Sequence, residues 1–174
     1  MMKYFWIETD TRNHIPYGIN AERKIDIRDV NRRNAYRIPN CCIIDMKVPD
    51  EVFFADMLLD PLMLVSEPFV DALEVYAPGT VFKTVYLLHK ESGIHRTYFM
   101  PFLEEVDCLD ESTAKTGRGT VLKEIVLKKE AVGDRSVFRI AGYMTQYVIG
   151  RVDFVEGILR RHVRGIKLKE VEAV

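Results

Sequence analysis

A chain of 174 residues, 48% hydrophobic and 29% charged, is long enough for one domain with a sizeable core. Its formal net charge of -1 argues against a dominant nucleic-acid role, which needs a strongly basic face. No apolar run approaches membrane-spanning length, and the four-residue run Tyr4–Ile7 is too short for a signal-peptide core, so a cytoplasmic protein without membrane contact is expected.

Lys3–Glu8 predicts a first strand with bulky aromatics, followed by a loop over Thr9–Asn20. Ala21–Asn40 is charge-dense, with acidic residues set among its arginines. It is expected to be a solvated, irregular surface segment, with Ile25, Ile27 and Val30 offering at most a weak strand or one amphipathic turn. Cys41–Met46 predicts a strand, and Glu51–Leu59 a strand or, in part, a short helix. Leu62–Val65 is an apolar run too short for a stable helix and suits a buried strand. Ser66 is then placed as an N-cap whose hydroxyl accepts from a first-turn amide, with Glu67 and Pro68 behind it. Phe69, Val70, Leu73, Tyr76 and Ala77 recur at helical spacing, Pro78-Gly79 stops the helix, and Thr80–Leu88 predicts a strand. Glu91–Gly93 makes a hairpin turn into a strand over Ile94–Phe99. Leu103–Leu109 reads as a strand that leaves the sheet at Asp110, and Glu111–Gly119 as an exposed loop with Gly117-Arg118-Gly119 at a hairpin tip. Strands at Thr120–Leu127 and Val137–Ile140 flank a turn at Val132–Asp134.

The chain closes on a second strand–helix–strand unit: Tyr147–Ile149, a helix face of Phe154, Val155, Ile158 and Leu159, the stop Gly165, and a half-buried strand from Ile166. Phe69-Val70 aligns with Phe154-Val155, and Gly79 with Gly165 after a one-residue offset. The common grammar of helix caps and periodicity is the expected account of this likeness, with an old duplication as the alternative. The expected fold is α+β: one curved, mostly antiparallel or mixed sheet with two main helices packed against it. A single domain over residues 1–174 is expected, with N-terminal strands and the irregular segment in 1–57 and a core in 58–174.

No motif carries chemistry. There is no phosphate-binding loop, no Cys/His pair at zinc spacing, and no glycine-flanked nucleophile at Ser66, so neither cofactor nor metal is expected. Three cysteines, with Cys41 and Cys42 adjacent, imply no disulfide framework, and two buried structural thiols are expected. His89 and His95 flank the Glu91–Gly93 turn. With Asp107 or Asp110 they would make a His/carboxylate pair for a small hydrolase or transferase, provided that the two imidazoles converge. Charge is more informative. Asp45–Ala77 holds eight acidic residues and one lysine, and Glu104, Glu105, Asp107, Asp110 and Glu111 form a second acidic cluster. Arg139–Lys169 holds seven basic and two acidic residues, with Arg160, Arg161, His162 and Arg164 near the end of the last helix, where they also suit the helix dipole. Separated patches on a near-neutral chain suit one protein partner, or pairing between protomers in a homodimer or scaffold.

From Leu58 onward the order of landmarks resembles a known family. The matching residues are LLDPLMLVSEPFVDAL (Leu58–Leu73), VDCLDEST (Val106–Thr113), KEIVL (Lys123–Leu127), VFRIAG (Val137–Gly142), and the closing helix with Gly165 before a strand. This order resembles the bacterial immunity proteins of polymorphic toxin systems, of the Myxococcus type, formerly a domain of unknown function. The Gly165-Ile166 step departs from the glycine-aromatic step usual there, and residues 1–57 carry no match. The resemblance implies a cytoplasmic, non-enzymatic protein that binds and neutralises a cognate toxin. The acidic residues Glu104, Glu105, Asp107, Asp110 and Glu111 are the expected contact, because toxins that act on nucleic acids are basic.

Overall fold

Thirteen strands and three helices run through the chain, all 174 residues of which are described by this computed structural model. In chain order they are β1 (Tyr4–Thr9), β2 (Cys41–Asp45), β3 (Met57–Leu58), β4 (Leu64–Val65), α1 (Glu67–Tyr76), β5 (Val81–Leu88) and β6 (His95–Phe102). There follow β7 (Glu105–Val106), β8 (Ala114–Thr116), β9 (Val121–Glu124), β10 (Val126–Leu127), α2 (Lys129–Val132), β11 (Val137–Ile140), β12 (Val148–Arg151), α3 (Val152–Arg160) and β13 (Ile166–Ala173).

The α+β class and the mixed, mostly antiparallel pairing are as expected, with α1 and α3 as the two main helices. The strands expected in one sheet divide between two, plus a ribbon. A five-stranded sheet has the order β2-β5-β6-β4-β3, a six-stranded sheet the order β10-β13-β1-β12-β11-β7, and β8-β9 stand apart. The division follows from burial. Both sheets bury side chains on both faces, so strands such as β1, β4 and β12 alternate between two apolar cores, whereas β13 alternates between core and water, with Lys167 and Lys169 exposed. In β1, Ile7 points to the helices while Tyr4 points to the outer core; in β12, Val148 and Ile149 divide in the same way. In the first sheet, Val65 faces the helices and Leu64 the outer core.

The helices fill the middle layer. Phe69, Ala72 and Leu73 of α1 and Phe154, Val155 and Ile158 of α3 are buried together with residues of both sheets. Burying a side chain of this size contributes about 1.5–3 kcal/mol. Gly157 lets the helices approach: a Cβ there would lie 2.4 Å from Cε2 of Tyr76.

The two strand–helix–strand units are halves of one repeated topology. In the first half β2 runs parallel to β5, and β5, β6, β4 and β3 follow in antiparallel succession. In the second, β10 runs parallel to β13, and β13, β1, β12 and β11 follow in the same way. The strand that corresponds to β6 is β1, supplied from the N-terminus. Phe69 and Phe154, aligned in the sequence, meet edge to face with ring centroids 5.7 Å apart. Shared order, shared orientation and contact between equivalent residues favour duplication over common grammar.

Several local expectations are corrected. Ala21–Asn40 is irregular, built on two 3-10 turns at Ile27–Asp29 and Ala35–Arg37, but it is not merely solvated. It buries Ile25, Val30, Ala35 and Ile38 against the outer face of the first sheet. These residues follow neither helical nor strand spacing, so no period announced them. Glu51–Leu59 contains only β3, Leu103–Leu109 only β7, and part of the Glu111–Gly119 loop is β8. Ser66 sits at the cap position, where its carbonyl accepts from the amides of Phe69 and Val70 at 3.1 and 3.0 Å, but its hydroxyl is buried without a partner.

A candidate partner-binding surface

The acidic cluster lies on the stretch between β6 and β10, which adds β7 to the edge of the second sheet and then covers the sheet's outer face with Cys108, Leu122 and Ile125. Alternation along β7 turns Val106 inward and leaves Glu105 and Asp107 outward. The five carboxylates fare differently. Glu104 accepts from Arg135 at 2.7 Å, and that hydrogen bond holds its carboxyl below the usual range. Glu105 is ion-paired with the nearly buried Arg139, which also donates to Oε1 of Gln146 and to the carbonyl of Val30 at 3.1 Å. Asp110 accepts from the hydroxyl and amide of Ser112 at 2.6 and 3.0 Å, which lowers its pKa and closes a local turn. Asp107 and Glu111 are exposed and have no ion pair within the chain.

Asp107 lies in the lining of a groove of about 650 Å³. One wall is the β8-β9 ribbon, through Lys115 and Gly119–Val121; the other is the loop from Ala141 to Thr145. The loop is braced by Tyr143, whose ring meets that of Tyr147 edge to face at 5.3 Å. The ribbon is tied to the same point, because the amide of Leu122 donates to Oη of Tyr147 at 3.0 Å. Val121 and Met144 are 47% and 58% exposed on the two walls. Sequence reasoning missed Val121, Tyr143 and Met144; the available signal was an apolar pair directly after Gly142, in a stretch otherwise suited to a turn.

The histidines do not converge. Leu88 pairs with His95, and the amide of His89 donates to the carbonyl of Ile94, so His89 and His95 occupy adjacent ladder positions and point to opposite faces. His89 Nδ1 meets Ser92 Oγ at 2.6 Å, and His95 Nδ1 meets the Gly93 carbonyl oxygen at 3.2 Å. His89 lines a separate cleft of about 270 Å³, distinct from the groove that holds Asp107. Within that cleft Lys90 pairs with Asp45 at 2.6 Å, and Asn20 clamps the backbone of Ile25 in both directions. The His/Asp arrangement needed for acid–base work is therefore not assembled. No three His, Cys, Asp or Glu side chains come together as metal ligands.

Of the thiols, only Cys108 is fully buried, and burial pushes its pKa up to about 11. Cys42 is half-buried, while Cys41 is exposed on the edge strand β2, so one thiol is fully buried where two are expected. The basic residues at and after the end of α3 make local contacts. Arg161 donates to the Gly157 carbonyl at 2.9 Å, Arg160 approaches Glu156 at 3.5 Å, and Arg164 stacks over Phe53. No helix is long and apolar enough to cross a membrane.

A family model described as an immunity protein family, Imm11, matches residues 44–173, about three-quarters of the chain. The match takes in both strand–helix–strand units and the groove, but leaves out β1 and the whole of the segment over the first sheet. No curated protein matches the chain.

Proposed function

Since the chain belongs to the Imm11 immunity protein family, we propose that it neutralises a cognate bacterial toxin by direct protein–protein contact in the cytoplasm of the producing cell. The acidic stretch Glu104–Glu111 supplies the contact. The observation that carries this reading is the pair of exposed, unpaired carboxylates on the acidic stretch: Asp107, in the lining of a preformed groove, and Glu111. Glu104, Glu105 and Asp110 set the backbone that presents them, through Arg135, Arg139 and Ser112. Neutralisation of this kind needs no chemistry from the immunity protein; it needs complementary charge to steer encounter and a rigid surface to hold the complex.

The experiment is a titration of the purified protein with the toxin encoded by the adjacent gene, followed by calorimetry and a toxicity assay. A stoichiometric complex that suppresses toxicity is expected. The double variant Asp107→Lys/Glu111→Lys should lower the association rate and flatten its dependence on salt. A wild-type protein that forms no complex would sink the proposal, and unchanged binding by the double variant would remove the acidic stretch from it.

A further inference from the structure

The repeated topology isolates one element that the fold does not require. Each half begins with a connector that lies over the outer face of its own sheet: residues 10–40 over the first, residues 107–125, after the edge strand β7, over the second. The first connector stays on its sheet. The second leaves it after Thr113, extends as the β8-β9 ribbon and returns at Leu122. The ribbon is paired with neither sheet. Its foot is fixed: Oγ1 of Thr113 donates to the Val126 carbonyl at 3.1 Å and accepts from the Val126 amide at 3.2 Å. Its tip closes on itself, with Thr120 Oγ1 on the Gly117 carbonyl at 2.6 Å. The exposed residues between foot and tip add little to the core, yet they create the groove by standing opposite the Ala141–Thr145 loop.

We infer that this ribbon-walled groove is the docking surface for one segment of the toxin, a loop or helix end that carries a lysine or arginine next to an apolar side chain. The inference rests on the toxin-neutralising reading above. Charge selects the cation. Asp107 is the acidic group in the lining, and it has no ion pair within the chain. Lys115 lines the groove from the ribbon and matches a carbonyl or carboxylate of the same segment. The apolar side chain is selected by Val121 and Met144, large exposed hydrophobic residues on facing walls, with the Tyr143 ring between them and the core. An apolar centre with a charged rim is the arrangement in which a few residues carry most of the binding energy.

The test measures affinity for the same purified toxin. Met144→Glu, Val121→Glu and Asp107→Lys should each weaken binding by about thirtyfold. Glu156→Lys, on α3 in the middle layer, should leave binding unchanged. A chain in which Lys115–Val121 is replaced by a two-residue turn should keep a cooperative unfolding transition and lose binding. Protection from hydrogen exchange on complex formation should appear at 115–121 and 141–145. If the wild-type protein binds and the groove variants bind equally well, the groove is not the docking surface and the toxin-neutralising reading stands. If the wild-type protein does not bind, both are overturned.

Discussion

Moving β1 to the other end of the chain should preserve the fold, whereas deleting it should destroy the fold. β1 lies between β12 and β13 in the six-stranded sheet, at the place that β6 occupies in the other sheet. It buries Tyr4 and Ile7 completely and Phe5 and Trp6 in part. At about 1.5–3 kcal/mol for each fully buried side chain, Tyr4 and Ile7 alone contribute about 5 kcal/mol. Their loss also uncovers Val148, Ile149 and Val171, which pack in the same cores. A whole domain is stable by only about 5–15 kcal/mol, so a chain starting at residue 11 should show no cooperative unfolding. The permuted chain keeps every one of these contacts. Tyr4 pairs with Val171, so in continued register Met1 stands opposite Val174, and an inserted Asn-Gly would join the two ends as a two-residue hairpin. New termini between Thr11 and Arg12 fall in an exposed turn, where a break costs little. Stability should stay within about 2 kcal/mol of the parent. Trp6 is the one tryptophan and packs 5.6 Å from the Tyr147 ring, so its fluorescence in a urea titration reports whether β1 is seated in the permuted chain; the truncated chain lacks Trp6, and its urea titration is followed by circular dichroism beside the parent's. A permuted chain without a cooperative transition, or a truncated one with the parent's transition, would refute the repeat reasoning.

Three further outcomes are expected. Gly79 and Gly165 share a left-handed backbone, but a Cβ on Gly165 would sit 2.6 Å from the Ala55 Cβ and 2.9 Å from its Cα, whereas Gly79 has open space. Gly165→Ala should therefore cost about 3 kcal/mol and Gly79→Ala about 1 kcal/mol in urea unfolding; equal costs would place the effect in backbone conformation alone. Arg139→Leu leaves Glu105, Gln146 and the Val30 carbonyl without their shared donor. It should cost about 3 kcal/mol and speed proteolytic cleavage within residues 21–40; an unchanged cleavage rate would show that Arg139 does not hold that segment. Thiol labelling at pH 8 should find Cys41 fast, Cys42 slower and Cys108 reactive only on unfolding. The Cys108 pKa is raised to about 11, so the unfolded chain ionises first as pH rises. The stability that Cys108 confers is complete below about pH 8.5 and is lost toward pH 11. Cys108→Ser should remove that part of the alkaline slope measured by thermal unfolding.

The toxin-binding reading came from the order of motifs between Leu58 and Gly165, and the family match over residues 44–173 supports it at the level of the family. The groove was not legible in that order. Asp107 was singled out for its charge, but Val121, Tyr143 and Met144 lie in separate stretches, and nothing local links them. The arginines that neutralise Glu104 and Glu105 lie about thirty residues downstream, which is why a charge count placed all five carboxylates on an equal footing.

Local physics determined a definite part of this protein from the sequence alone. Apolar spacing of three and four residues placed α1 and α3, Pro78-Gly79 marked where α1 stops, and alternation marked most strands, whereas α3 stops at Arg160, ahead of the expected Gly165, which instead leads into β13. The same spacing aligned Phe69 with Phe154. These features depend on contacts within a turn or two of the chain, so a single stretch contains all the information needed. Tertiary structure alone decided which faces meet. It seated β1 between β12 and β13, drew Ile25, Val30, Ala35 and Ile38 onto the first sheet, and set the ribbon opposite the Ala141–Thr145 loop. Those choices maximise burial across two sheets and a helical layer, and that energy belongs to pairs of surfaces rather than to any one segment.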